Sequence, residues 1–147
     1  MSQDSRPVAL ITGGTSGIGR ATASMLHGQG WSVVVTGRNP QTVAGAVSTL
    51  PVDVTVIRAD AASLIDVDRV AAEVKRRYET VDLVFLNAAI ERMAPLAAID
   101  EAAFDEHFAV NLKGQVFLLQ KLLPLLRHEK GQAQRPRGVL PPVRHDD

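Results

Sequence analysis

The 147-residue sequence contains no cysteine, one tryptophan and one tyrosine. Without cysteine there can be no disulfide framework, thiolate metal site or cysteine nucleophile. The four histidines, His27, His107, His128 and His145, fall at no metal-ligand spacing, so no zinc site is expected. Net charge is lacking too, because 16 Lys and Arg balance 16 Asp and Glu. That balance gives no electrostatic reason to expect nucleic acid or an anionic membrane as partner. No apolar run reaches the roughly 18 residues of a membrane span. The opening MSQDSRP has neither the basic stretch nor the apolar core of a signal peptide. The expected location is the cytoplasm.

What is present is the composition of a globular protein, 46% apolar and 22% charged, with length for one domain. Short β-branched runs alternate with longer amphipathic ones. Val8 to Thr12 reads as a strand buried on both faces, because its apolar residues are consecutive. Ile18, Ala21, Thr22, Met25 and Leu26 follow at the spacing of one helix face, and Gly28 and Gly30 stop that helix. Residues 31–36, 54–59 and 81–86 read as three further strands. A weaker helix is expected from Pro40 to about Leu50, and a clear one carries Val67, Val70, Ala71, Val74 and Tyr78 on one stripe. Asp100 through Leu126 reads as a long helix or a broken pair, with Phe104, Phe108, Leu112 and Leu119 inward. Alternation of this kind implies right-handed crossovers and an α/β fold, a doubly wound parallel sheet of about four strands. The domain is expected to span 1–126. Residues 127–147 hold Pro136, Pro141, Pro142 and five basic residues without periodicity, and read as an irregular tail.

Between the first strand and the first helix stands Thr12-Gly13-Gly14-Thr15-Ser16-Gly17-Ile18-Gly19. Glycines at such a junction let the backbone turn tightly and let a diphosphate approach main-chain N–H groups, and the helix N-terminus adds partial positive charge. An ordinary glycine-bearing loop is the alternative, and the three spaced glycines favour the phosphate cradle. The run is not a P-loop, because Arg20 and Ala21 stand where Lys and Ser or Thr are needed. Nor is it G-x-G-x-x-G, because Thr22 replaces the last glycine. What remains, T-G-x-x-x-G-x-G, resembles the glycine motif of the short-chain dehydrogenase/reductase family, whose domain is a Rossmann-type NAD(P)-binding fold. Arg38 lies just past the second strand, 19 residues after Gly19. A dinucleotide fold places there an acid for the 2′-hydroxyl of NAD or an arginine for the 2′-phosphate of NADP. No acid lies within residues 36–39, so NADP is favoured over a solvated surface arginine, and NAD remains open.

The resemblance runs from about Val8 to Leu126 and implies further site residues. Asp60 matches the family aspartate that hydrogen-bonds the adenine, with Ala61 beside it; a turn or capping role is an equal reading of Asp60 by itself. Asn87-Ala88-Ala89 is similar to the family's N-A-G segment along the coenzyme, with Ala89 in place of glycine. Asn111 matches the asparagine of the catalytic tetrad, which kinks a long helix and holds a water linked to the catalytic lysine. A solvent-facing helix asparagine is its alternative. With Thr12, Gly13, Thr15, Ser16, Gly17, Ile18 and Gly19 of the turn, these form the expected coenzyme site. The resemblance implies an alcohol or carbonyl as substrate, and a homo-oligomer as one form of assembly.

The remaining tetrad residues are missing. The only tyrosine, Tyr78, is followed four residues later by Asp82 where the family has lysine, and no serine occurs after Ser63. Tyr78 reads as a packing residue. The chain is therefore expected to be inactive alone: an oxidoreductase by descent, a nucleotide-binding pseudoenzyme or partner subunit, or a fragment without a role. Without a fifth strand the edge at 81–86 would be exposed, giving a marginal, aggregation-prone protein. One hypothesis is an out-of-frame reading after Leu126, where periodicity stops and residues with GC-rich codons accumulate. Sequencing the coding DNA past that codon should then reveal a frame encoding a strand ending in serine and Tyr-x-x-x-Lys. A confirmed stop with no such frame would sink the idea.

Overall fold

Consecutive β-branched and small residues drive strands that are covered on both sides. The computed structural model describes residues 6–127, and in it β1 (Val8–Thr12) and β2 (Ser32–Gly37) are buried along their whole length. β3 (Thr55–Arg58) and β4 (Leu83–Leu86) complete one parallel sheet in the order β3-β2-β1-β4. Between the strands run α1 (Gly17–Gly28), α2 (Pro40–Thr49) and α3 (Leu64–Arg77). After β4 come α4 (Glu101–Phe108), a π-helical turn over Ala109–Lys113, and α5 (Gly114–Leu122). This is the α/β, Rossmann-type arrangement expected, with four strands among the described residues.

Local chemistry sets the helix starts. Asn39 caps α2 by accepting from the Gln41 and Thr42 amides (2.8 and 3.3 Å), and Pro40 occupies the first turn, where its missing N–H costs nothing. Asp100 caps α4 through the Ala103 amide at 2.7 Å. The pleat sends alternate β1 residues to opposite faces. Ala9 and Ile11 pack with Ala23, Leu26 and Ala46 beneath α1 and α2. Val8 and Leu10 pack with Val70, Val74, Leu118 and Leu122 beneath α3 and α5. The stripe expected on α3 is buried at Val67, Val70, Ala71 and Val74, and Tyr78, at the helix end, packs half-buried against the same cluster.

Two expected helix faces are corrected. On α1 the buried residues are Gly19, Ala23 and Leu26, whereas Ile18 and Met25 are 73% and 55% exposed. The helix is turned by about one residue because its smallest side chains permit the closest approach to the sheet. Phe104, Phe108 and Leu112 are each about half exposed, and Leu119 is half-buried. Val110, Gly114, Gln115, Leu118 and Leu122 face inward instead. Both series repeat at helical spacing, and close approach chooses between them: at Gly114 a Cβ would collide with the Ala61 carbonyl oxygen.

β4 has β1 on one side. On the other, among the described residues, only its entry is paired: Val81 bridges Leu126 in parallel, donating to the Leu125 carbonyl at 2.7 Å and accepting from the Arg127 amide at 3.0 Å. Asp82 anchors this corner, accepting from the Val8 amide (2.8 Å) and pairing with Arg127 (2.5 Å). Of the tail expected over 127–147, all but Arg127 lies outside the described residues. Among those described, no helix is long and apolar enough to cross a membrane.

On the outer face of α3, Glu73 accepts from Arg76 at 2.7 and 2.9 Å and from Arg77 at 2.5 Å. These guanidinium bonds hold its carboxyl down at about 2, against a usual 4.5. A carboxylate whose folded value is lowered stabilises the fold fully above its unfolded value and loses that contribution as pH falls through the folded one. The melting-temperature gap between wild type and Glu73→Gln should therefore be open at neutral pH and close as pH falls from about 4.5 towards 2. Because the group is exposed, added salt should narrow it. A gap that is unchanged across this acid range would contradict the assignment.

Candidate functional site

β1 and β4 are neighbours, but the crossovers that leave them cover opposite faces of the sheet. Such a switch point leaves a crevice beyond the carboxyl ends of the strands. After Thr12 the chain turns through Gly13 at φ 64°, a conformation glycine adopts without penalty. A Cβ there would lie 2.9 Å from the Ala88 Cα, so β1 and β4 leave the sheet with their backbones nearly touching. Ser16, the N-cap of α1, makes no side-chain capping bond, and the first turn carries no acid. The orphan N–H donors and positive pole of α1 are thus not neutralised by the helix's own residues.

The resulting open cleft has a volume of about 530 Å³. Residues 15–18, 36–39, 59–61 and 87–90 line it, with Gly13, Thr42 and Val110. Of the expected site residues, Gly13, Thr15, Ser16, Gly17, Ile18, Arg38, Asp60, Ala61, Asn87, Ala88 and Ala89 are brought together on this surface. Thr12, Gly19 and Asn111 are not. Gly19 is buried where a Cβ would strike the Gly13 carbonyl oxygen. Among the described residues, neither tyrosine, lysine nor histidine lines the cleft, and no cluster of acidic and histidine side chains could hold a metal ion.

Thr12 lies behind the wall and is almost fully buried. Its hydroxyl oxygen accepts from the Asn87 and Ala88 amides, both at 3.0 Å, and donates to Gln115 Oε1 at 3.3 Å. Gln115 Nε2 donates to the Ala88 carbonyl at 2.6 Å, and Asn87 Nδ2 to the Gly13 carbonyl at 3.1 Å. Gln115 was not among the expected residues. Its signal was an amide one helical turn beyond Asn111, set among apolar neighbours.

Asn111 sits in the π turn, so a helix irregularity does occur at this asparagine. Its amide grips the Ile90 backbone in both directions, accepting at 2.8 Å and donating at 2.9 Å. The same loop is held again by α4. His107 Nε2 accepts from the Arg92 amide at 3.0 Å while Nδ1 lies 2.7 Å from the Ala103 carbonyl, and Glu106 pairs with the Arg92 guanidinium at 2.8 Å.

At the rim, Arg38 Nη1 lies 3.4 Å from Glu106 and 3.8 Å from Asp60. Asp60 also folds a local turn, accepting from the Ala62 amide at 2.9 Å, so it both lines the cleft and shapes its own loop. Its backbone N–H donates to Asp66 at 2.8 Å, and this bond, with the Arg69 guanidinium, holds the Asp66 carboxyl below the usual carboxylate range. A helix N-terminus open to an anion, a glycine floor and a guanidinium about the rim suit an elongated phosphorylated ligand.

Known proteins are similar to this chain in sequence and fold. The family model for short chain dehydrogenases matches residues 7–134, eight residues beyond the end expected for the domain. "Oxidoreductase asL5" of Sarocladium schorii is 33% identical over 123 residues, 84% of this chain and 49% of that protein. The crystal structure of a short-chain dehydrogenase/reductase, glucose/ribitol dehydrogenase, from Brucella melitensis superposes with a TM-score of 0.76 at 28% identity, covering 82% of this chain and 52% of the other. The Pseudomonas aeruginosa RhlG/NADP active-site complex gives 0.74 at 27% identity, covering 81% and 47%. The chain spans about half the length of the curated relatives it matches.

Thr12→Val preserves shape but strips an acceptor from two amides and a donor from Gln115. Leaving buried partners unsatisfied costs about 1–3 kcal/mol. Urea denaturation should show a loss of that size, and a variant as stable as wild type would remove Thr12 from its place at the centre of this network.

Proposed function

The chain belongs to the short chain dehydrogenase family, and from that membership we propose that the cleft binds NADP(H) within an oxidoreductase that interconverts an alcohol and a carbonyl. The single observation that carries the coenzyme assignment is Arg38, placed at the end of β2 on the rim of a cleft floored by the glycine turn. In this reading residues 15–18 at the start of α1 would hold the diphosphate. Asp60, Ala61 and Val110 would hold the adenine, and Arg38 would take the 2′-phosphate through charge-assisted bonds. NAD remains a weaker ligand of the same cleft. The name of the Pseudomonas aeruginosa neighbour, an NADP complex, is in keeping with this.

Bound coenzyme would supply or accept the hydride. This chain's own residues bind and orient it: Asn87 and Ala88, tied to Thr12, set the cleft floor, and Asn111 fixes the Ile90 backbone beside it. No residue of the 147 stands as a Tyr-x-x-x-Lys pair to move the substrate proton, because Tyr78 packs against the core and Asp82 follows it. Coenzyme binding without turnover is the behaviour proposed for this polypeptide by itself.

Titration of the purified chain with NADPH and NADH tests the proposal. NADPH should bind more tightly. Arg38→Ala should weaken NADPH by about tenfold or more, the scale of a lost charge-assisted bond, and leave NADH nearly unchanged. Absence of NADPH binding, or equal losses for both coenzymes, would overturn the reading. Coenzyme turnover with an alcohol or carbonyl would overturn the claim of inactivity.

A further inference from the structure

The end of β2 offers no acid, yet the fold delivers one there. We infer that Glu106, on α4, is a specificity-determining residue of the cleft: it competes with a 2′-phosphate for Arg38 and supplies the carboxylate that a 2′-hydroxyl would use. The inference rests on the coenzyme reading of the cleft given above. Glu106 is 68 residues from Arg38 in sequence, yet its Oε1 lies 3.4 Å from Arg38 Nη1. Its Oε2 is taken by Arg92 at 2.8 Å. Asp60 faces Arg38 from the β3 loop at 3.8 Å, so the guanidinium stands between two carboxylates. Arg58 adds a third arginine nearby, but it donates to the Arg38 carbonyl rather than to either acid.

This geometry treats the two coenzymes differently. A 2′-phosphate on Arg38 must displace Glu106 or carry its own negative charge within a few ångströms of it, a repulsion that only partial solvent exposure softens. A ribose 2′-hydroxyl is neutral and can donate to the same carboxylate, which is the part an acid plays in an NAD site. Arg92 modulates the contest. It occupies one oxygen of Glu106 and is itself fixed through its amide to His107. Without Arg92, Glu106 keeps Arg38 as its remaining arginine partner and holds it more firmly against phosphate.

Paired affinities of the full chain for NADPH and NADH at low ionic strength decide the matter. Glu106→Gln should tighten NADPH and weaken or leave NADH, shifting the affinity ratio about fivefold, the scale of one exposed ion pair. Arg92→Ala should move the ratio the opposite way. Loosening of α4 or its loop would instead change both affinities together and leave the ratio alone. If both coenzymes bind but neither variant moves the ratio, the inference is wrong and the coenzyme reading stands. If one variant fails to fold, the other still reads the ratio. If wild type binds neither coenzyme, both fall.

Discussion

The hydroxyl of Thr12 joins three segments that lie about 75 and 100 residues apart in sequence: the end of β1, the exit of β4 and the inner face of α5. Two main-chain donors and one side-chain acceptor meet on a single buried oxygen, and every partner is satisfied. The exit of β4 can therefore lie against Gly13 without stranding its amides. The cleft floor follows from that contact. Gly13 approaches Ala88 because neither strand end can move away, and the first residues of α1 line the same cleft.

A second consequence concerns α4 and α5. The π turn and the seat of Gly114 against Ala61 set the rotation of the whole helical run. Apolar residues occur on two sides of it. The side bearing Val110, Leu118 and Leu122 faces the sheet, which leaves Phe104 and Phe108 outward, their rings tilted together 4.6 Å apart. The same rotation carries Glu106, His107 and Asn111 to the loop after β4, so helix packing also decides which side chains brace that loop.

The charge pattern of the cleft rim shows how little a net charge says about a site. The chain is neutral overall, and the groups nearest Arg38 are nearly balanced as well. Their effect comes from placement. Glu106 divides its two oxygens between arginines of different elements, linking the β2 end to the loop after β4. On α3, by contrast, Glu73 pairs with Arg76 and Arg77 of its own helix, and nothing in the cleft depends on it.

Order of elements, strand identity and the glycine turn were legible in the sequence, because each rests on local rules: buried parallel strands are continuously apolar, and glycine marks a βα junction that must turn sharply. Most positions expected from the family resemblance gather on one cleft, because the carboxyl ends of parallel strands lie along one edge of the sheet. The rotation of α1 and of the α4–α5 run was not legible. Each carries small or apolar residues on more than one stripe, and only the closest permissible backbone approach, at Gly19 and Gly114, chooses between them. Gln115 and Glu106 were missed because a polar residue on an amphipathic helix has no local signature of what it will meet. Their partners, Thr12 and Arg38, lie 103 and 68 residues away in sequence, and only the folded chain brings them within hydrogen-bonding distance.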